Sequence, residues 1–359
     1  MKKEKIVIKN TLGMFDLIKG VMLLMMLLGH STVFNGMYSN LNVVTYLIIG
    51  IITVLGEAAM PALFVISGYG LRKTTFTKCV KKQFKILIVP YLITVVVTSI
   101  VAFVSMAIEY GDIIRVVKET ASLFLGSLFG ITPGTGYLGF YFTACGPVWF
   151  LVALFFGNII SNQLLRYFEG QKLLVAAFVV SLVGWGLTFV RPLPGALSQS
   201  FIAPLYICFG YYAKKHKLFV SQDNVAKRNI SIVLVIAVIL AHKAMAGEFY
   251  MAHNVYTYGP FSIVVNGLAA LLFIYWFLHL NTLNGVISSN IRKIGRYSLY
   301  LLCIHSILYM AIGTRIQQVF ASSWQGSLWL GFAIVLTTRL VVDLFITFIF
   351  VRIKNSLTK

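Results

Sequence analysis

The segment Phe15–His30, "FDLIKGVMLLMMLLGH", is almost pure hydrocarbon, yet it carries an aspartate, a lysine and a histidine. A stretch this apolar suits a bilayer, and a backbone in hydrocarbon must satisfy its own hydrogen bonds, so the segment reads as a membrane helix. The rest of the chain has the same character. Its 359 residues are 59% hydrophobic and only 11% charged, with a mean hydropathy of +0.88, far from the composition of a water-soluble globule. Apolar runs of spanning length recur from end to end without the alternation of barrel strands. The expected fold is an all-α integral membrane protein.

Ten spans are predicted, over residues 12–34, 43–71, 84–108, 147–165, 173–190, 198–213, 229–246, 261–280, 297–315 and 326–351. The first lies behind "MKKEKIVIKN" in the manner of a signal peptide. No small-residue cleavage site follows it and further spans do, so it is expected to remain as the first helix. No internal repeat, low-complexity tail or soluble domain interrupts the pattern, so residues 1–359 are expected to form a single membrane domain.

The net charge of +20 is a matter of orientation. With the amino terminus in the cytosol, the inner connections hold 23 of the 30 basic residues, including Lys2, Lys3, Lys5 and Lys9, the run from Arg72 to Lys85, and Arg292, Lys293 and Arg296. The outer connections hold Arg115, Lys118, Arg191, Lys243 and Arg315. The positive-inside rule therefore predicts both termini in the cytosol of a multi-pass cell-membrane protein, a bacterial plasma membrane being expected, and removes the argument for a nucleic-acid partner. Cys79, Cys145, Cys208 and Cys303 show no paired spacing, so neither a metal site nor a disulfide framework is expected.

A charge inside the bilayer costs on the order of 3 kcal/mol or more, so each is a candidate functional group. Asp16 and Lys19 are three apart and can neutralise each other across one turn. From Lys19 the helix needs about three turns, roughly 16 Å of rise, to return the same face at His30. Glu57 stands four residues before Pro61, where a proline is expected to unwind the second helix; it is either a substrate-binding group or a partner for Lys19 or Arg339. Arg339 and Asp343, four apart, are expected to pair with each other. His305 lies mid-span with Ser298 and Tyr309 near its face, and two membrane histidines among only six in the chain suggest a site shared with His30.

The long outer connection begins with "DIIRVVKETASLFLGSLFG", Asp112–Gly130, whose mixed polarity suits an interfacial helix. It continues as a glycine- and proline-rich stretch read as an irregular loop, with Tyr137, Phe140, Tyr141, Phe142 and Trp149. These rings suit an interfacial aromatic belt or the stacking of a sugar.

The run "FDLIKGVMLLMMLLGHS" resembles the first helix of the membrane-bound acyltransferase-3 family, in which a basic residue in an Asp-x-x-Arg-Gly setting precedes a histidine by ten intervening residues. Asp16, Lys19, Gly20 and His30 fall on those positions. Lysine stands in place of arginine, as in the branch resembling fucose 4-O-acetylases. "PALFVISGYGLRK", "KKQFKILIVPYL", "GPVWFLVALFF" and "IGRYSLYLLCIHSIL" resemble further family blocks, in order.

The resemblance implies transfer of an acyl group, usually acetyl, from cytosolic acyl-coenzyme A to a hydroxyl of a cell-envelope sugar or polysaccharide, with the coenzyme as a substrate and no bound cofactor. A sugar hydroxyl is a poor nucleophile near neutral pH, and a buried imidazole suits the removal of its proton. His30 is then the general base or a transient acyl carrier. Lys19, held by Asp16, would contact the donor's phosphates or pantetheine carbonyls. The basic run from Arg72 would attract the anionic donor, and Tyr137, Tyr141, Trp149 and His305 join Glu57 as candidate substrate contacts. The alternative is a transporter or flippase for a lipid-linked sugar, with Lys19, Glu57 and His30 along its path.

Overall fold

The computed structural model describes residues 13–30, 43–220, 225–313 and 328–357, and these are overwhelmingly helical. In chain order the helices are α1 (Asp16–Gly29), α2 (Val43–Gly70), α3 (Phe76–Gln83), α4 (Val89–Tyr110), α5 (Ile113–Leu128), α6 (Trp149–Tyr167), α7 (Gly170–Gly186), α8 (Leu197–Lys215), α9 (Val225–Ala244), α10 (Pro260–His279), α11 (Val286–Arg296), α12 (Ser298–Ala311) and α13 (Leu328–Leu357). A helix lies over each of the ten predicted spans. Among the described residues five stretches are long and apolar enough to cross a membrane: Gly50–Gly70, Phe76–Tyr110, Gly146–Tyr167, Gly170–Phe189 and Pro260–Thr282. Apolar side chains line the outside of the bundle at helical spacing, with Ile93, Val96, Ile100 and Val104 along α4 and Val175, Val179 and Val183 along α7 all exposed. Such stripes are stable only where acyl chains cover them.

Three expectations are corrected. Pro61 lies inside an unbroken α2, because a proline removes a single hydrogen bond and the flanking turns are gripped by α8. At that crossing a Cβ on Gly68 would lie 1.8 Å from the Ile207 carbonyl oxygen, and one on Gly210 would lie 1.9 Å from that of Val65, so the two backbones touch. The basic segment after Arg72 is helical, as α3 followed by a π-turn over Phe84–Ile88 that leads directly into α4. Asn158 and Asn162 of α6 fasten it, through Ser67, Gln83 and both backbone groups of Thr74. The loop read as irregular contains an antiparallel hairpin, β1 (Thr135–Tyr137) with β2 (Phe140–Phe142). It follows α5, the expected interfacial helix, which Asp112 caps by accepting from the Ile114 and Arg115 amides.

A second small hairpin, β3 (Phe249–Tyr250) with β4 (Val255–Tyr256), joins α9 to α10. The unpredicted α11 lies against the start of α1. A Cβ on Gly20 would lie 2.1 Å from the Ile291 carbonyl oxygen, and one on Gly295 would lie 1.8 Å from that of Asp16. All four cysteines are buried and unpaired.

Candidate active site at the two ends of α1

α1 is one continuous helix, so its polar residues are held at fixed heights. At its start Lys19 Nζ lies 2.8 Å from Asp16 Oδ1. Arg296 of α11 approaches the second carboxylate oxygen with Nε at 3.4 Å. Asp16 is buried, while Lys19 keeps a quarter of its side chain exposed and Arg296 about two thirds, so the acid lies beneath two cations that both reach solvent. Asn281 donates to the Met14 carbonyl oxygen and fixes the entry into the helix. The close glycine packing of α1 on α11 is what brings Arg296 into range.

His30 caps the other end. Its Nδ1 lies 3.0 Å from Nε2 of His305, and the two rings are parallel within 6°. His305 Nδ1 in turn lies 2.8 Å from Asp343 Oδ2. Both His305 and Asp343 are 2% exposed. α12 supplies Tyr309 one turn beyond His305, and its ring centroid lies 5.0 Å from that of His30. α13 supplies Arg339, whose guanidinium donates to the carbonyl oxygens of His30 at 2.6 Å and Gly313 at 2.9 Å. The expected Arg339–Asp343 pair is therefore corrected: the acid serves His305 and the guanidinium serves backbone carbonyls.

The structure brings His30 and His305 together, and likewise Asp16 and Lys19. The other candidates lie elsewhere. Glu57 is bound by Lys243, whose ammonium lies within 2.6 Å of both carboxylate oxygens and also donates to the Gly247 carbonyl oxygen; its expected partner, Lys19 or Arg339, is replaced. Trp149 is buried in the core against Phe150 and offers no face to a sugar. Tyr137 is tied through its hydroxyl to the Pro192 carbonyl oxygen, whereas Tyr141 is 59% exposed. Arg72 is exposed, and further along the same segment Thr75, Thr77, Lys78, Lys81 and Lys82 line a surface depression. Ser298 opens α12 and makes no contact with His305 of the kind Tyr309 makes.

Sequence reasoning missed Arg296, Lys243 and the role of Asp343. The signal for Asp343 was available: an acid buried on an apolar helix needs a partner, and an imidazole on another helix satisfies it as well as the neighbouring arginine does. Among the described residues no group of three or more His, Cys, Asp or Glu side chains has metal-binding geometry.

A basic, partly exposed cluster at one end of a helix and a hydrogen-bonded imidazole at the other suit a reaction with an anionic substrate and a proton to be moved. Comparison with curated proteins and with solved structures gave no match. The family model described as "Acyltransferase domain" matches residues 13–346, nearly the whole chain, and with these apolar helices the chain is a multi-pass membrane protein that belongs to the acyltransferase-3 family.

Proposed function

We propose that the chain moves an acyl group, acetyl in the simplest case, from acyl-coenzyme A to a hydroxyl of a cell-envelope sugar or polysaccharide. The observation that supports this most is His30: it closes the helix that carries the family's signature residues, and its ring is hydrogen-bonded to a buried second imidazole. In this reading residues 1–359 form one domain of the fucose 4-O-acetylase-like branch. Ten helices cross a bacterial plasma membrane with both termini in the cytosol. Lys19, Asp16 and Arg296 then face the compartment that holds the donor, and His30 lies toward the outer face.

The chemistry needs one base. His30 takes the proton of the acceptor hydroxyl as that oxygen attacks the thioester carbonyl carbon. The carbon–sulfur bond breaks as the carbon–oxygen bond forms, and the imidazolium returns its proton to the departing thiolate, leaving an ester and the free thiol of coenzyme A. Lys19 and Arg296 bind the anionic donor, and Asp16 keeps their charges close together. The pantetheine arm runs along α1 toward His30.

The test is acyl transfer by the protein in lipid nanodiscs, with radiolabelled acetyl-coenzyme A and envelope glycans. Label should appear in the glycan with wild type and not with His30→Ala at equal protein level. Undiminished transfer by His30→Ala would remove the assignment of the base.

A further inference from the structure

His30 and its neighbours are connected in a definite order. An ionised Asp343 only accepts hydrogen bonds, so the proton between it and His305 sits on His305 Nδ1. A neutral imidazole carries one N–H, so His305 Nε2 is then an acceptor, and the contact at 3.0 Å requires His30 Nδ1 to be the donor. The proton on His30 is thereby confined to Nδ1, and the lone pair is on Nε2, the nitrogen turned away from the chain. This is the less stable tautomer of a free imidazole, and the buried carboxylate two links away imposes it.

We propose that Asp343 and His305 are positioning residues that fix the His30 proton on Nδ1, orient the ring, and leave Nε2 as the basic atom of the transfer. This rests on the reading of His30 as the base. When Nε2 takes the acceptor proton, the new imidazolium keeps its Nδ1–H on His305, and the Asp343 carboxylate stabilises the positive charge through that ring without itself becoming protonated. Arg339 donates to the His30 and Gly313 carbonyl oxygens, which holds the ring's backbone in place, while the Asp343 carboxylate makes its hydrogen bond to the imidazole of His305.

The groups that face His30 are His305 and Tyr309 from α12, Arg339 from α13 and His253 from the β3–β4 turn. Among the ionisable groups of other helices packed on α1, Glu57 is engaged with Lys243, His279 with the Tyr275 carbonyl oxygen, Arg292 with the Asn281 and Leu283 carbonyl oxygens, and Arg296 with Asp16, while Lys293 lies on α11 at the opposite end of α1 from His30. Asp343 is thus the acid that the hydrogen bonds join to His30, through His305.

Two measurements test the assignment. In the full-length protein with ¹⁵N-labelled histidine, six imidazoles are present, and the His30 signals are those lost in His30→Ala. Neutral wild-type His30 should carry its proton on Nδ1; a proton on Nε2 would overturn the proposal, and this reading needs no variant at Asp343 to fold. In the second, Asp343→Asn can turn its amide toward His305 and reverse both tautomers, blocking Nε2. It should lower kcat by roughly 10²- to 10⁴-fold with little change in KM. The His30 proton in Asp343→Asn should sit on Nε2 by the same ¹⁵N measurement, a readout that a merely structural role would not move. Wild-type kcat and a His30 proton still on Nδ1 in Asp343→Asn, while His30→Ala is inactive, would sink the relay alone. Full activity of His30→Ala would instead sink the reading beneath it.

Discussion

The guanidinium of Arg339 holds the His30 backbone carbonyl at 2.6 Å, so the C-cap of α1 is tied to α13 by a charged residue that is itself 8% exposed. The same guanidinium spans to Gly313. Lysine has one point of charge and no fork, so it reaches one carbonyl and leaves the other. Arg339→Ala should cost about 3 kcal/mol, as two hydrogen bonds from a charged donor are lost, and Arg339→Lys should cost less. Unfolding followed in detergent would measure both, and donor turnover should fall with them because the ring of His30 loses its anchor. Equal stability of wild type and Arg339→Ala would show that the tie is not needed.

The α1–α11 crossing tolerates no side chain. Gly20→Ala and Gly295→Ala each put a Cβ against backbone, at 2.1 and 1.8 Å, which no rotamer change relieves. Each is expected to cost at least the roughly 1–3 kcal/mol of an overpacked core, and to push Arg296 away from Asp16. Gly56→Ala is the control, since nothing lies within 4 Å of its added carbon. Thermal stability of the three purified variants checks this, with Gly56→Ala alone close to wild type.

Glu57 and Lys243 test whether a membrane charge is structural or functional. They are 186 residues apart in sequence and joined at 2.6 Å. Removing one partner strands the other, which costs roughly 3–5 kcal/mol for a fully buried pair; this pair is half-buried, so Glu57→Gln and Lys243→Met should each destabilise by less than that. The double variant should recover much of the loss and keep acyl transfer. If the stable double variant transfers no acyl group, Glu57 belongs to the substrate path after all.

Hydropathy makes the long helices legible because a spanning helix is long, apolar and bounded by basic residues; a described helix lies over each predicted span, and five of the described stretches are long and apolar enough to cross a membrane. The amphipathic α11 escapes that signal, being only 11 residues with Arg292, Lys293 and Arg296 inside it. The Asp16–Lys19 pair is legible because it is local, three residues apart on one helix. Spacing misleads for Arg339 and Asp343, since residues four apart are neighbours on a helix yet each finds a better partner across the bundle. The partners Arg296 and Lys243 are tertiary, set by glycine contacts and by the fold of the β3–β4 hairpin, and no periodicity in the chain reports them. The aromatic residues of the outer segment look alike in sequence whether a carbonyl ties the hydroxyl, as Pro192 ties Tyr137, or the core encloses the ring, as with Trp149.

The division of labour along α1 gives the last expectation. Lys19 keeps a quarter of its side chain exposed while Asp16 beneath it is 6% exposed, so the lysine has one side on its partner and another free for an anionic substrate. Lys19→Ala should raise the donor KM roughly tenfold, the worth of one charge-assisted contact, and leave kcat within about twofold. Lys19→Arg should stay near wild type, because the Asp16 carboxylate accepts either cation. Asp16→Asn is different: it releases Lys19 and Arg296 together, so donor KM should rise while the α1–α11 packing, made by Gly20 and Gly295, survives. Raising the salt concentration should narrow the gap between wild type and Lys19→Ala, since screening already removes part of the attraction. Initial rates of donor hydrolysis over a range of acyl-coenzyme A, at low and high salt, measure all of this. A fall in kcat with unchanged donor KM in Lys19→Ala would move the lysine from the donor site to the anchoring of α1.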